Sequence, residues 1–271
     1  MVFPLLLAGC GKMGGALLSG WLKQGMRPAD VLVIEPDAAA AAEVSASLVR
    51  VVADAVLLPA GFAPEVVVLA VKPQVMDRAL ASLAAVARRQ GVLFLSIAAG
   101  RTIGSLAKHL GADTPIVRAM PNTPAAIGRG MQVACASSRV DAAMRGRAEA
   151  LLAAVGEVAW IEDEALMDAV TAVSGSGPAY VFLLIETLAQ AGVAAGLPEA
   201  LSRRLARATV AGAGELARRT DTDPSELRRN VTSPGGTTEA ALKVLMAADG
   251  LEPLLRRAVA AATERSRELA G

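Results

Sequence analysis

The run Gly9-Cys10-Gly11-Lys12-Met13-Gly14 constrains this chain more than any other segment. It follows an apolar stretch, Leu5–Ala8, and opens a helical stretch over roughly residues 12–25. Glycines spaced G-x-G-x-x-G between a strand and a helix form a phosphate-cradling turn. Gly9 permits the tight turn, Gly11 lets the backbone approach a pyrophosphate, and Gly14 lets the helix pack close to the strand. The helix N-terminus adds partial positive charge. The plainer alternative is a structural turn with no ligand.

The first half of the chain continues this pattern. Apolar runs at Val31–Ile34, Val66–Val71, Val92–Ile97, Ile116–Ala119, Met131–Ala136 and Val158–Ile161 alternate with helical stretches near 38–48, 75–89, 102–110 and 141–155. Strands that are apolar without alternation are buried on both faces, as in a parallel sheet. Strand–helix alternation therefore predicts a doubly wound α/β domain over residues 1–161. Beyond it the strand pattern ends. Helical patterns follow near 164–173, 178–196, 198–219, 223–229, 237–248 and 251–269, separated by glycine and proline breaks. Residues 162–271 read as an all-helical domain. Its stretch 178–196 is apolar on more than one face, which suits a bundle larger than these helices can build alone. An obligate oligomer through this half is expected.

Composition excludes several chemistries. The net charge is +1, with one histidine, His109, and two cysteines, Cys10 and Cys135. There is no basic excess to displace counterions from a nucleic acid. A disulfide scaffold and a Cys/His zinc cage are excluded, and no metal site is expected. A hydrolase of the Ser-His or Cys-His kind would depend wholly on His109. That residue follows Lys108 at the end of a short helical stretch and reads as a helix-end residue. The chemistry is therefore expected to come from a cofactor. No basic residue precedes the N-terminal apolar run Val2–Ala8, which reads as a strand and not a signal segment. No apolar stretch reaches membrane-spanning length without a polar interruption, so the cytoplasm is the expected location.

Further residues outline a crevice. Glu35 ends the second strand; an acid there accepts hydrogen bonds from an adenine ribose and repels a 2′-phosphate. The alternative is a strand-end acid facing solvent. Ala70-Val71-Lys72-Pro73-Gln74, Ser96-Ile97-Ala98-Ala99-Gly100 and Met120-Pro121-Asn122-Thr123-Pro124 follow strands on the edge where open α/β sheets bind ligands. In the helical half, Ser174–Tyr180 is a glycine–serine break. Thr232-Ser233-Pro234-Gly235-Gly236-Thr237-Thr238 opens a helix whose first N–H groups can hold an anion. Thr237 or Thr238 can cap that helix or offer a hydroxyl to a ligand, and capping alone is the simpler account. Lys243 is the one lysine in this half and is not placed where β-hydroxyacid dehydrogenases keep their acid lysine.

Taken in order, Gly9–Gly14, Val71–Gln74, Met120–Pro124, Ala169–Tyr180 and Thr232–Thr238 closely resemble the pyrroline-5-carboxylate reductase family. The resemblance spans nearly the whole chain. It implies an N-terminal Rossmann-like doubly wound sheet followed by an all-helical C-terminal dimerisation domain. The helical domains would interlock in a homodimer, and dimers in the family assemble further, commonly into decamers. The implied reaction is reduction of (S)-1-pyrroline-5-carboxylate to L-proline by NADPH or NADH, the last step of proline biosynthesis.

Carried over by position, the resemblance implies a dinucleotide against Gly9, Cys10, Gly11, Lys12, Met13 and Gly14, with Glu35 at its ribose. Ala70, Val71, Lys72, Pro73, Ile97, Ala98 and Ala99 would border its nicotinamide half, and Asn122, Glu164 and Asn230 also match cofactor positions. Ser233, Gly235, Gly236, Thr237 and Thr238, contributed by the partner subunit, would bind substrate. The substrate carboxylate would rest on the N–H groups of Gly235, Gly236 and Thr237, with the Thr238 hydroxyl at the ring nitrogen, orienting or protonating it. A protonated imine is already electrophilic, so the protein mainly aligns donor and acceptor carbons. Glu35 departs from the small polar or arginine-containing pattern of many family members and favours acceptance of NADH. Two other readings are a different imine or β-hydroxyacid reductase and a dinucleotide sensor without turnover; the Thr232–Thr238 loop disfavours both.

Overall fold

Among the described residues, 3–270 of the computed structural model, eight strands form one sheet. They are β1 (Leu5–Ala8), β2 (Val31–Ile34), β3 (Arg50–Val52), β4 (Val66–Leu69), β5 (Leu93–Ser96), β6 (Ile116–Met120), β7 (Gly130–Ala136) and β8 (Gly156–Trp160). Val2, where the expected N-terminal run begins, lies outside the described residues. The order across the sheet is β3-β2-β1-β4-β5-β6-β7-β8. All neighbours pair parallel except β6 and β7, which pair antiparallel. The chain leaves β1 toward one edge and returns through β4 on the other side, so a switch point lies between β1 and β4. Such a switch leaves a crevice at the carboxyl ends of the strands.

Alternate strand residues feed two layers, which explains the unbroken apolar runs. Leu5, Leu7, Val66 and Val68 pack with Leu17 and Trp21 of α1 (Lys12–Lys23) and with Leu151 of α5 (Ala142–Ala153). Leu6, Val67, Leu69 and Phe94 pack with Leu80 and Leu83 of α3 (Met76–Ala87) and Leu106 of α4 (Ile103–Leu110). The Trp21 indole N–H, fully buried, donates to the Leu151 carbonyl at 2.9 Å and ties α1 to α5. α2 (Ala38–Ser45) is shorter than the sequence pattern suggests, and Leu48 beyond it takes a positive φ of 63°.

Two features differ from the sequence expectation. β3 is a three-residue edge strand beside β2, and its first residue, Arg50, interrupts the apolar pattern. The stretch 164–173 is not one regular helix. A 3-10 turn at Glu164–Leu166 leads into α6 (Met167–Val170) and then a π-helical segment, Thr171–Gly175.

The chain divides into two compact units. The first runs to Gly175 and takes back the chain from Thr263; the second is Ser176–Ala262. The strands end at Trp160, near the expected boundary at 161, while the first unit continues because Met167 and Ala172 are fully buried in it. The C-terminal return is held by Ser266, whose hydroxyl donates to Asp168 Oδ1 at 2.7 Å.

The second unit holds α7 (Gly177–Ala194), α8 (Glu199–Arg218), α9 (Pro224–Asn230), α10 (Thr237–Leu245) and most of α11 (Leu251–Ala270). α7 and α8 approach closely through small residues. Ser202 Oγ donates to the Ala189 carbonyl at 2.6 Å, and a Cβ at Gly192 would lie 2.2 Å from that hydroxyl. Elsewhere this unit has little interior: α9 and α10 bury no residue. Phe182 and Leu183 on α7 are 62% and 58% exposed. Apolar area of this extent on one chain is the signature of an interaction face.

Candidate active site

The glycine turn sits at the switch point. Gly9 has φ +86°, and a Cβ there would lie 2.9 Å from Val71 Cγ1 and 3.0 Å from the Ala70 carbonyl group. Only glycine meets both demands. A Cβ at Gly14 would lie 2.5 Å from the Gly9 carbonyl oxygen, so this glycine lets α1 pack against the turn. At Gly11 a Cβ would meet nothing within 4 Å. The backbone there is open to a ligand. Gly11 is also the N-cap of α1, with no side-chain cap and no acid in the first turn. Its leading N–H groups are thus available to an anion. Lys12 is exposed beside them, and Met13 packs partly into the core. The arrangement fits a dinucleotide.

Glu35 follows β2 and is half-buried. Its Oε2 accepts from the Cys10 N–H at 2.7 Å, and its Oε1 accepts from the Asp37 N–H at 3.0 Å. The carboxylate thus orders the glycine turn. Burial, together with the Glu35 and Glu43 carboxylates, pushes the Cys10 thiol up to about 11. A thiol raised in this way is weakly nucleophilic at neutral pH. A groove beside the turn is lined by Gly9, Ile34, Pro36, Asp54, Val71 and Arg78. Asp54 and Arg78 were not among the sequence candidates. Asp54 follows β3, the strand the sequence pattern hides.

The remaining loops follow β4, β5 and β6, which pair parallel and so end on one edge. Ala70 donates its N–H to the Ala8 carbonyl at 2.8 Å, and Ile97 donates to Leu69 at 3.1 Å. Val71 is half-buried; Lys72 and Pro73 are exposed. Ile97 and Ala98 are buried, and Ala99 is exposed. Asn122 spends its amide on the protein: Nδ2 donates to the Ser174 carbonyl at 3.2 Å and lies 3.3 Å from its hydroxyl, and Oδ1 accepts from Met131 at 2.9 Å. Glu164 is likewise engaged. Its Oε1 accepts from Arg118 Nη1 and from the Ile103 N–H, both at 2.8 Å. In this geometry Asn122 and Glu164 brace the loops, Asn122 through both ends of its amide and Glu164 through Oε1.

His109 lies in the last turn of α4, where its Nε2 is 3.3 Å from Asp77 Oδ1. No cluster of three metal-ligating side chains occurs among the described residues.

The second unit carries the other glycine turn. Gly235 has φ +71°, and Gly236 is the N-cap of α10 without a side-chain cap. Glu239, in the first turn, accepts from the Gly235 N–H at 2.7 Å, and the Gly236 N–H donates to the Ser233 carbonyl at 3.0 Å. This corrects one sequence expectation. Gly235 and Gly236 close the turn with their own N–H groups, which leaves the first amides of the helix, at Thr237 and Thr238, as the donors this turn does not spend. Ser233, Gly235 and Thr237 are exposed, and Thr238 is half-buried. Asn230 is exposed at the end of α9.

Comparison with known proteins agrees with this arrangement. A family model described as pyrroline-5-carboxylate reductase dimerisation matches residues 164–269. One described as NADP oxidoreductase, coenzyme F420-dependent, matches residues 5–100. Pyrroline-5-carboxylate reductase of Pseudomonas aeruginosa is 43% identical over 97% of this chain and 95% of its own length. The solved structure of a pyrroline-5-carboxylate reductase from Coxiella burnetii matches with a TM-score of 0.93 at 34% identity, covering 100% of both chains. That of the Plasmodium falciparum pyrroline carboxylate reductase with NADP bound gives 0.82 at 29% identity, over 99% of this chain and 98% of the other. The sheet, the two glycine turns and the helical half thus occur together in a chain that belongs to the pyrroline-5-carboxylate reductase family.

Proposed function

We infer that the chain reduces (S)-1-pyrroline-5-carboxylate to L-proline with NAD(P)H, the last step of proline biosynthesis. The observation that carries this reading is likeness to reductases of this name along the whole chain, with both glycine turns intact. NAD(P)H supplies the hydride that reduces the imine carbon. The open backbone at Gly11 and the uncapped start of α1 hold its pyrophosphate, and Glu35 faces its adenine ribose. The Val71–Pro73 and Ile97–Ala99 loops border the nicotinamide. The first amides of α10 hold the substrate carboxylate, and Thr238 orients or protonates the ring nitrogen. The partner subunit of a homodimer supplies that turn. The exposed apolar face of α7 and the dimerisation-family match support this assembly, and by the family resemblance dimers would join further into a decamer. By length and composition Glu164–Ala194 is apolar enough to cross a membrane, yet Glu186 and Gln190 interrupt it and a dimer would cover it. We place the enzyme in the cytoplasm. Purified protein should oxidise NADH or NADPH only when pyrroline-5-carboxylate is added, and the gene should restore growth to a proline auxotroph. Failure of both would refute the assignment.

Thr238→Ala should lower kcat by about tenfold to a hundredfold, corresponding to about 1–3 kcal/mol for one buried polar partner left unmet. NADH affinity should hold, and Thr238→Ser should recover most of the rate. Parallel loss of cofactor binding and turnover would contradict the role.

Glu35 should make NADH at least as good a donor as NADPH. Like charges forced together cost several kcal/mol, and a 2′-phosphate would face this carboxylate. Glu35→Gln keeps an acceptor for Cys10 and removes the charge. It should raise kcat/KM for NADPH by about tenfold or more relative to NADH, as steady-state kinetics with both donors would read. A strong NADPH preference in the native enzyme, unchanged by the substitution, would refute it.

A further inference from the structure

The loop from Ile97 to Gly100 has almost no side chain with which to hold itself. Ala98 and Ala99 carry one methyl each, and Gly100 takes φ +70° against the carbonyl of Leu269, where a Cβ would lie 2.9 Å away. Its position is therefore decided at its ends. At the near end the Ile97 N–H bonds to β4. At the far end Arg101 Nη2 is paired with Asp77 Oδ1. Asp77 lies in the first turn of α3, just beyond the Val71–Pro73 loop. The ion pair thus joins the end of one loop to the end of the other. Thr102 then caps α4 through the Ser105 N–H at 3.0 Å, which sets the direction in which the chain leaves.

Arg101 is 20% exposed and Asp77 65%, so water reaches the pair from the Asp77 side and screens it, and such a pair adds little net stability to folding. Arg101 Nε is buried without a partner, so the guanidinium is tethered through its Nη2 end. The arrangement is that of a strut between two loops.

We propose that Arg101 and Asp77 are positioning residues for hydride transfer, locking the Ile97–Ala99 loop against the Val71–Pro73 loop so that the nicotinamide ring between them keeps one plane. This rests on the reading of those loops as the nicotinamide site. Dinucleotide affinity comes largely from the pyrophosphate turn, which the pair does not touch. Alignment of the reacting carbons does depend on the strut, and misplacements of about 1 Å cost up to a hundredfold.

The test uses the full-length enzyme with Arg101→Ala, Asp77→Ala, the double variant and Arg101→Lys. Each alanine variant should lose about tenfold to a hundredfold in kcat, with NADH affinity within about threefold and an unchanged melting temperature. The double variant should be no slower than either single one, because the two side chains act as a unit. Arg101→Lys should restore most of the rate. His109, the one histidine, touches Asp77 and gives a single imidazole NMR signal. That signal should shift when NADH binds the native enzyme and stay fixed in Arg101→Ala. Unchanged kcat in the alanine variants, or additive losses in the double variant, would overturn the proposal. Native enzyme that shows the NADH-dependent imidazole shift but never reduces pyrroline-5-carboxylate would overturn the substrate assignment while leaving the strut standing.

Discussion

Glu164→Ala should lower the unfolding free energy by about 3–5 kcal/mol, the range for removing one partner of a buried ion pair. The Arg118 side chain on β6 is only 6% exposed, and its Nη1 lies 2.8 Å from Glu164 Oε1. Without the carboxylate a guanidinium remains in the interior with no counter-charge. The same oxygen also accepts from the Ile103 N–H at the start of α4, so the substitution orphans a helix-start amide as well. Glu164→Gln keeps an acceptor for both donors and removes only the charge, so its loss should be smaller. Urea unfolding at one fixed protein concentration checks both, because an oligomer's midpoint moves with concentration. A Glu164→Ala midpoint equal to that of the native protein would mean that Arg118 finds solvent or another partner. Its geometry braces β6, α4 and the turn before α6.

Gly9→Ala and Gly11→Ala should both weaken NAD(P)H binding, and only the first should unfold the protein appreciably. At Gly9 an alanine must hold a positive φ, which costs about 1–3 kcal/mol. Its methyl would also press on the Ala70 carbonyl, which cannot retreat freely while the Ala70 N–H is bonded to Ala8. At Gly11 φ is −65°, and the methyl would enter open space. Folding should therefore tolerate it, with melting close to native. The methyl would still stand where a pyrophosphate must approach the backbone. A loss of about 2 kcal/mol, roughly thirtyfold in Kd, is expected from titration of NADH fluorescence. Native affinity in Gly11→Ala would mean that the dinucleotide does not cross this turn.

Much of the fold was legible in the chain because its strands are buried on both faces. Leu5–Ala8, Val31–Ile34 and Val66–Leu69 carry no polar interruption, and the helices between them are punctuated by glycine and proline. β3 escaped because an edge strand of three residues needs no unbroken apolar run, and Asp54 escaped with it. The π-helical segment Thr171–Gly175 escaped because its glycine and serine pattern reads equally well as a break. Arg101 and Asp77 escaped because they stand 24 positions apart with a strand between them.

Sequence alone determined the local rules: where glycine must stand, which runs enter a sheet, where helices start, and which catalytic chemistries a chain with one histidine can support. It also carried the family likeness, because the two glycine turns and their order survive as strings of residues. Tertiary structure decided which polar groups remain available. Gly235 and Gly236 look like open donors in the sequence, yet the first is taken by Glu239 and the second by the Ser233 carbonyl. Glu164 and Asn122 look like ligand contacts, yet the fold brings Arg118, Ile103, Met131 and Ser174 to them first. The physical reason is that hydrogen-bond capacity is finite and is divided by distance in space, which residue order does not record.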